Sequence, residues 1–441
     1  MNHHKIALLG CGTVGSGVYR IIRDWGDGLG QRTGQSFEPV AIAIKSLDEQ
    51  LSVEVPGNIL TTDALAAARH PDASIVIELM GGVDFPFQVV MAAIEAGKHV
   101  VTANKALLAH KGPELFAAAR KKGVCIGFEA SCMGGVPIIG ALRLGLIANR
   151  VDALFGIVNG TCNYILSEMT QKKRSYQQAL ADAQKQGFAE ANPTLDVSGM
   201  DSAHKLAVLS SLAFGIQVNF DQISVEGIDT LKLSDINAAA ELGYVVKLLA
   251  IGMRDPDGFS LRVHPVFIPK DHPLASVAGP FNALSLYGHA VGHVFFYGRG
   301  AGQMPTGSAI VSDLVDVALG NAQRGFQVLR IWPDQHPVTP LKPIDNIESR
   351  YYIRLMMYDR PGAMASVTRI LGEHKISLSA VVQHEIPEDS TDKTVVPVVI
   401  MTHRAAEGNM KAALAEAERT AVVKGKPVRI RVMEQYAEPK C

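Results

Sequence analysis

Over the first 130 residues, short β-rich apolar runs alternate with longer stretches of helical periodicity. That order predicts a parallel sheet wrapped by helices. Strands are expected at 5–9, 40–44, 74–78, 99–102 and 124–128, and helices at about 14–25, 62–68, 86–96 and 112–121. Gly97 and Gly123 each end a helical pattern just before a strand, the position of a helix C-cap. From about residue 151 the texture changes. Strands are expected at 151–158 and 290–297, and helices at 175–186, 200–214, 235–253 and, after a Gly-rich loop, 306–318. The stretch 332–343 holds four prolines and reads as a linker. Beyond it, strands at 351–357, 379–385, 393–402 and 427–433 interleave with helices at 364–374 and 405–419. This β-α-β-β-α-β order is ferredoxin-like.

The expected architecture is therefore α/β throughout. A doubly wound, Rossmann-type domain spans 1–135, with a helix near 305–330 returning to it, an α+β domain spans 136–304, and a ferredoxin-like domain spans 350–435. A length of 441 residues agrees with two or three cores. Lys+Arg (42) nearly balances Asp+Glu (43), so no long-range field draws the chain to nucleic acid or an anionic membrane. No apolar run is long enough to span a bilayer, and Ile6–Leu9 is too short for a signal-peptide core. The five cysteines (Cys11, Cys125, Cys132, Cys162 and Cys441) have no CxxC spacing, which predicts a reducing, cytoplasmic setting. No histidine spacing gives a zinc set, and His3-His4 reads as a solvated terminus.

Gly10-Cys11-Gly12-Thr13-Val14-Gly15 lies directly between an expected strand and an expected helix. There Gly10 allows a tight turn, Gly12 lets the backbone approach a pyrophosphate, and Gly15 permits close helix–strand packing. Thr13 and Val14 begin the helix whose free N–H groups would hold the phosphates, and Gly17 adds little to this. The second strand ends at Lys45 rather than at an acid. A lysine there either neutralises a 2′-phosphate, which favours NADP, or faces solvent; nearby Asp48 keeps NAD open.

Two further stretches complete a pattern. Val101-Thr102-Ala103-Asn104-Lys105 follows a strand at the carboxyl edge of the sheet, and Gly187-Phe188-Ala189-Glu190-Ala191-Asn192-Pro193-Thr194-Leu195-Asp196 runs toward a helix bearing Asp201 and Lys205. Asp201 and Lys205 are four apart and share a helix face. By themselves they would read as a solvated ion pair, but the carboxylate-rich loop upstream turns the reading toward a substrate site. Together with the glycine loop and Gly300-Ala301-Gly302-Gln303-Met304-Pro305-Thr306-Gly307, the chain resembles homoserine dehydrogenases over essentially its whole length.

The resemblance implies NAD(P)-dependent interconversion of aspartate 4-semialdehyde and homoserine, a branch step toward threonine, methionine and isoleucine. It makes 136–304 the substrate-binding and dimerisation domain. It implies Lys205 as general acid/base with Asp201 beside it. Lys105 would contact substrate and orient the nicotinamide, Glu190 would bind the substrate amino group with Asp196, and Gly302 would join the cofactor site. Asn192 departs from the more acidic segment many members carry, which leaves the loop's details open. Some members hold a monovalent cation such as Na+ on backbone carbonyls; carry-over places it at Glu129, Cys132, Gly134 and Val136, where a plain Gly-rich turn is the alternative. Asp359-Arg360-Pro361-Gly362 resembles the loop of an ACT domain, with Pro361 expected in the first helical turn. Such domains bind amino acids between paired copies, which implies a homodimer or homotetramer and a threonine effector, or else a domain that only stiffens the oligomer. Two rivals stand beside this reading: a semialdehyde dehydrogenase with Cys132 as nucleophile, and a nonenzymatic amino-acid sensor.

Overall fold

The computed structural model describes residues 1–383, 394–434 and 436. Cys441 and the outer ends of two expected strands, at 384–385 and 393, lie outside the described residues.

Six parallel strands form the first sheet: β1 (Asn2–Leu9), β2 (Gln35–Ala43), β3 (Leu60–Thr61), β4 (Ile75–Glu78), β5 (His99–Thr102) and β6 (Ile126–Gly127), ordered β3-β2-β1-β4-β5-β6. This is the doubly wound order that reverses between β1 and β4 and opens a crevice at the carboxyl ends of the strands. Ile6–Leu9 and Ile75–Ile77 are buried on both faces, as a sheet covered by helices on each side requires.

Helix α1 (Thr13–Thr33) runs well past its expected end at 25, through Gly26, Gly28 and Gly30, and stops at Gly34, whose φ of +71° caps it. Those glycines obscured the helix in the sequence, where each lowers helix propensity. Helix α4 (Lys105–Lys122) starts seven residues before the expected 112, with Asn104 as its cap. Pro113 imitates a first-turn proline there but sits inside the helix. β1 starts at Asn2, so the terminal histidines are not simply solvated: His4 stacks on Phe37 and hydrogen-bonds Gln35.

The larger sheet runs through Gly292–Arg299, Phe281–Gly288, Val151–Ile157, Tyr244–Asp255 and Gly258–Pro269, then continues without a break into Val428–Val432, Glu348–Tyr358, Val395–Thr402 and Leu378–Gln383. The last four are the ferredoxin-like strands. A parallel pairing of Val266 with Arg431 and Phe267 with Val432 joins the two halves.

The expected helix at 235–253 is in fact two elements: Leu233–Glu241 is helical, Gly243 turns the chain at φ +86°, and the β-rich Tyr244-Val245-Val246 enters a strand. The strands Gly258–Pro269 and Phe281–Gly288 went unexpected because nearly every residue in them is buried, leaving no alternation to read. Helix Gly160–Lys172 escaped notice likewise, being buried almost all round.

Two short segments act differently from expectation. The proline-rich stretch is an anchor rather than a tether: Trp332 is fully buried among Phe116, Phe128 and Phe326, and Asp334 pairs with Arg120 at 2.8 Å. Pro361 lies before its helix, which starts at Ala363 after Gly362 at φ +84°.

Helix Gln303–Ala318 returns onto α1, and there Gly17 matters after all. A Cβ on Gly17 would lie 2.2 Å from the Gln303 carbonyl oxygen, so only glycine admits the crossing. Helix Met200–Phe214, at the bounds expected for it, packs between α4 and strand Tyr244–Asp255. It thereby carries its N-terminal turn to the crevice of the first sheet. Among the described residues no helix is long and apolar enough to cross a membrane.

Candidate active site

The glycine loop has the geometry expected of a phosphate cradle. Gly10 has φ +101°, and a Cβ there would meet the Leu79 carbonyl oxygen at 2.8 Å. A Cβ on Gly15 would lie 2.1 Å from the Gly10 carbonyl oxygen. Gly12 caps α1 with no side-chain acceptor, and Gly12 and Thr13 are exposed, so the first-turn N–H groups stay open to an anion. Val14 is half-buried behind them. Lys45 is exposed past the end of β2, and its ammonium has no ion-pair partner among the described residues. Gly302 (φ +130°) opens helix Gln303–Ala318, and its carbonyl accepts from the Thr306 N–H at 3.0 Å.

Across the crevice, Asp201 gathers the chemistry. Asn104 ends the turn after β5, accepts from the Leu107 N–H at 3.0 Å, and so sets Lys105 at the first position of α4. Lys105 Nζ lies 3.1 Å from Asp201 Oδ1. Lys205 Nζ, one turn along the helix, donates to Asp201 Oδ2 at 2.6 Å and to the Val158 carbonyl at 2.7 Å. Asn159 Nδ2 donates to Asp201 Oδ2 at 2.8 Å and to Asp196 Oδ1 at 2.7 Å. Asp201 and Lys205 are both more than nine-tenths buried.

Burial alone would push the Asp201 carboxyl up, but the ammonium groups of Lys205 and Lys105 outweigh it and hold the carboxyl well below the usual range. The charge of Asp201 in turn raises Lys105 against the opposing effect of burial. Asp196 is pushed up by its own burial and then by Asp201. Two lysines, one fully ionised carboxylate and a second, more easily protonated one thus meet at a single point.

The structure brings together Lys105, Lys205, Asp201 and Asp196 of the residues expected from sequence. Glu190 is exposed in the loop before Asp196, where its backbone carbonyl accepts from Gln184 at 3.2 Å. Asn192 caps the turn at Thr194.

Sequence reasoning missed Asn159, although it stands in Val158-Asn159-Gly160, a strand ending in a helix cap. It also missed Glu78. This fully buried acid ends β4 and accepts from Thr102 Oγ1 at 2.7 Å, the Met80 N–H at 2.8 Å and Asn104 Nδ2 at 3.4 Å. Glu78 thereby fixes the turn that presents Lys105. An acid closing a buried apolar strand was the available signal. Beside Lys205, His204 contacts His110 at 3.3 Å and stacks on Phe220; burial and His110 bring it down to about 4, so its ring is neutral near pH 7.

The stretch carried over as a cation site has its own geometry. The Glu129 carboxylate accepts the N–H groups of Ile139 and Gly140 at 2.9 and 2.7 Å. Gly134 turns tightly against Gly300, whose oxygen a Cβ would meet at 2.8 Å. The Val136 carbonyl accepts from the Ile138 N–H at 2.7 Å, whereas those of Glu129, Cys132 and Gly134 accept no such turn or loop bond among the described residues. The Cys132 thiol is wholly buried, and burial pushes it up to about 12.

A family model described as homoserine dehydrogenase matches residues 137–315, its NAD-binding domain matches 10–129, and an ACT domain matches 351–421. The homoserine dehydrogenase of Pseudomonas aeruginosa is 43% identical over 97% of this chain and 98% of its own. The chain belongs to the homoserine dehydrogenase family. The Bacillus subtilis homoserine dehydrogenase is 39% identical, with 92% of each chain covered. A solved homoserine dehydrogenase from Thiobacillus denitrificans superposes with a TM-score of 0.91 at 43% identity, covering 98% of this chain and 99% of that one. The Staphylococcus aureus enzyme does so with 0.74 at 29% identity, covering 99% and 100%.

Membership makes the protein an oxidoreductase that interconverts aspartate 4-semialdehyde and homoserine with a nicotinamide dinucleotide. Its C-terminal domain is an ACT domain. Neither rival reading is favoured. Burial pushes the Cys132 thiol up, which disfavours the thiolate that a nucleophile needs. A pure sensor has no need of two lysines converging on one carboxylate.

Proposed function

We propose that Lys205 is the general acid/base of the reaction and that Asp201, holding both lysines, positions it. The observation that carries this is the disposition of the Lys205 ammonium. Two of its three donors are taken, by Asp201 and Val158, and the third is left for the substrate oxygen. The bound nicotinamide supplies or accepts the hydride. In reduction Lys205 gives a proton to the aldehyde oxygen as hydride arrives; in oxidation it receives the hydroxyl proton. Lys105 adds a second positive charge beside that oxygen, and Asp196 with Glu190 holds the substrate ammonium. Lys205→Ala lowers turnover at least about a hundredfold, the usual scale for loss of such a group. Homoserine-dependent reduction of NADP at alkaline pH measures it, and full activity in that variant would remove the mechanism.

The finer assignments belong to the same reading. The exposed Lys45, without an ion-pair partner among the described residues, supports NADP over NAD, and a homoserine dehydrogenase from a hyperthermophilic archaeon has been solved with NADPH. The carbonyls of Glu129, Cys132 and Gly134, which accept no turn or loop bond among the described residues, with that of Val136, fit a monovalent cation, which would brace the loop between β6 and the larger sheet. The ACT domain takes threonine as effector, and the chain forms a homo-oligomer in the cytoplasm. Exposed Phe295 and Tyr297 on one edge strand of the larger sheet, and Val381 on the other, support association of copies. We place the domain divisions at 1–135, 136–304 and 350–435.

A further inference from the structure

A cavity of about 500 Å³ lies on one face of the larger sheet, where the catalytic strands meet those of the ACT domain. Ser260, Arg262, His264 and Val266 alternate along one strand and line it, while Ser349 and Arg431 wall it from the ACT side. Its size is that of small-molecule sites.

Two of these side chains are poorly satisfied. Arg262 is 7% exposed; it donates to Ser260 Oγ at 3.1 Å and to the weak acceptor Met253 Sδ at 3.6 Å, and its Nε has no partner among the described residues. No carboxylate lies within ion-pair distance of it among those residues. The neighbouring charges do not cover for this. Arg431 and Arg429 are matched by Glu226 and Glu407, at 2.7 to 3.3 Å. Arg262 is therefore a buried cation without a direct ion-pair partner among the described residues: Asp255 on the same cavity wall and Glu407 act on it only from beyond ion-pair distance, and Glu348 and Glu434 at the rim are engaged by Arg404. Burial and the charge of Arg431 bring its guanidinium down to about 10, which leaves it protonated at neutral pH. His264, 2% exposed and kept neutral by burial, meets the Pro265 carbonyl through Nδ1 at 3.0 Å. The proton is therefore on Nδ1, and Nε2, which has no partner among the described residues, is a spare acceptor.

A missing anion beside a missing donor defines the ligand's chemistry. We propose that this cavity binds a small carboxylate that also carries a hydrogen-bond donor, the class of amino acids and hydroxy acids. The carboxylate would neutralise Arg262 and the donor would satisfy His264. Because the walls come from both domains, occupancy would tie the ACT strands to the catalytic sheet. The site is distinct from the ACT loop at residues 359–362 and does not depend on an effector binding there.

Calorimetric titration of the full chain tests this with L-threonine, L-lactate and acetate as probes, against Arg262→Gln and Arg262→Lys. Lactate or threonine binds the parent protein, acetate binds roughly threefold more weakly for want of the donor, and Arg262→Gln weakens binding at least about tenfold. Arg262→Lys, which keeps the charge but loses the fork, falls between and serves if the glutamine variant does not fold. Lactate discriminates a hydroxy acid from an amino acid. No binding by any probe at tens of millimolar overturns the proposal; a second copy or the chain's own terminus filling the cavity would appear so. Unchanged affinity in both variants also overturns it, and a threonine response that survives them places that effect at the ACT loop instead.

Discussion

Replacing Asp201 by asparagine keeps the shape of the hub and removes its charge. The Lys205 pair is buried on both sides, and breaking such a pair by removing one partner costs about 3 to 5 kcal/mol. Lys105 is more than a third exposed, so its share is about that of a surface pair, under 1 kcal/mol. Asparagine still offers one acceptor, which returns about 1 kcal/mol. The expected loss of stability is therefore about 3 kcal/mol, read as a lower melting temperature.

The pH dependence follows from the sign of the shift. The folded carboxyl is held below its unfolded value of about 3.9, so its contribution is complete above that value and is lost only as pH falls through the lower folded one. The gap between the parent and Asp201→Asn stays constant from about pH 5 to 8 and closes in acid. Turnover falls by about two to four orders of magnitude, because the general acid/base is no longer held. Homoserine oxidation by Asp201→Asn, Lys205→Ala and the double variant separates positioning from an independent role. If Asp201 works through Lys205, the double variant is scarcely slower than Lys205→Ala. Rate losses that multiply, or a melting temperature unchanged in Asp201→Asn, would refute the reasoning.

Two more substitutions discriminate between roles. Cys132→Ala keeps turnover within about twofold and loses about 1 kcal/mol for the small void in a fully buried site; kinetics beside a melting curve check both, and a hundredfold loss would restore the thioester rival. Glu78→Gln replaces a buried carboxylate that accepts three hydrogen bonds by an amide that cannot accept all three, so kcat/KM falls about tenfold while stability holds or rises with the charge gone. A drop in melting temperature with unchanged kcat/KM would make Glu78 structural alone.

In the first sheet the two-residue β3 was too short to read. The other five of its six strands were legible from apolar runs such as Ile6–Leu9 and Ile75–Ile77 and from Gly10, Gly97 and Gly123, each at a turn with positive φ. The same physics hid the strands of the larger sheet. Tyr244–Asp255 and Gly258–Pro269 are covered on both faces, and a strand buried on both faces loses the period of two that marks it. Lys105, Asp196, Asp201 and Lys205 could be chosen from local motifs, since each lies at a strand end or on a helix face. The local signals at Asn159 and Glu78, a helix cap and an acid closing an apolar strand, mark structure only; what ties them to the site is a partner 42 or 26 residues away.

No single stretch of sequence contains the site, because it is a meeting of four turns: after β5, after Val151–Ile157, in the loop at Asp196, and at the start of Met200–Phe214. The Asp201 carboxylate, which accepts several donors at once, holds the turns after β5 and after Val151–Ile157 through Lys105 and Asn159, and Asn159 ties in the loop at Asp196. Asp201 therefore sets geometry as well as charge. Any motion that separates the two sheets pulls Lys105 from Lys205 at the same carboxylate. Occupancy of the distant cavity at Arg262 would reach the chemistry through that joint, along the unbroken sheet that carries Val151–Ile157 toward Val158 and Asn159.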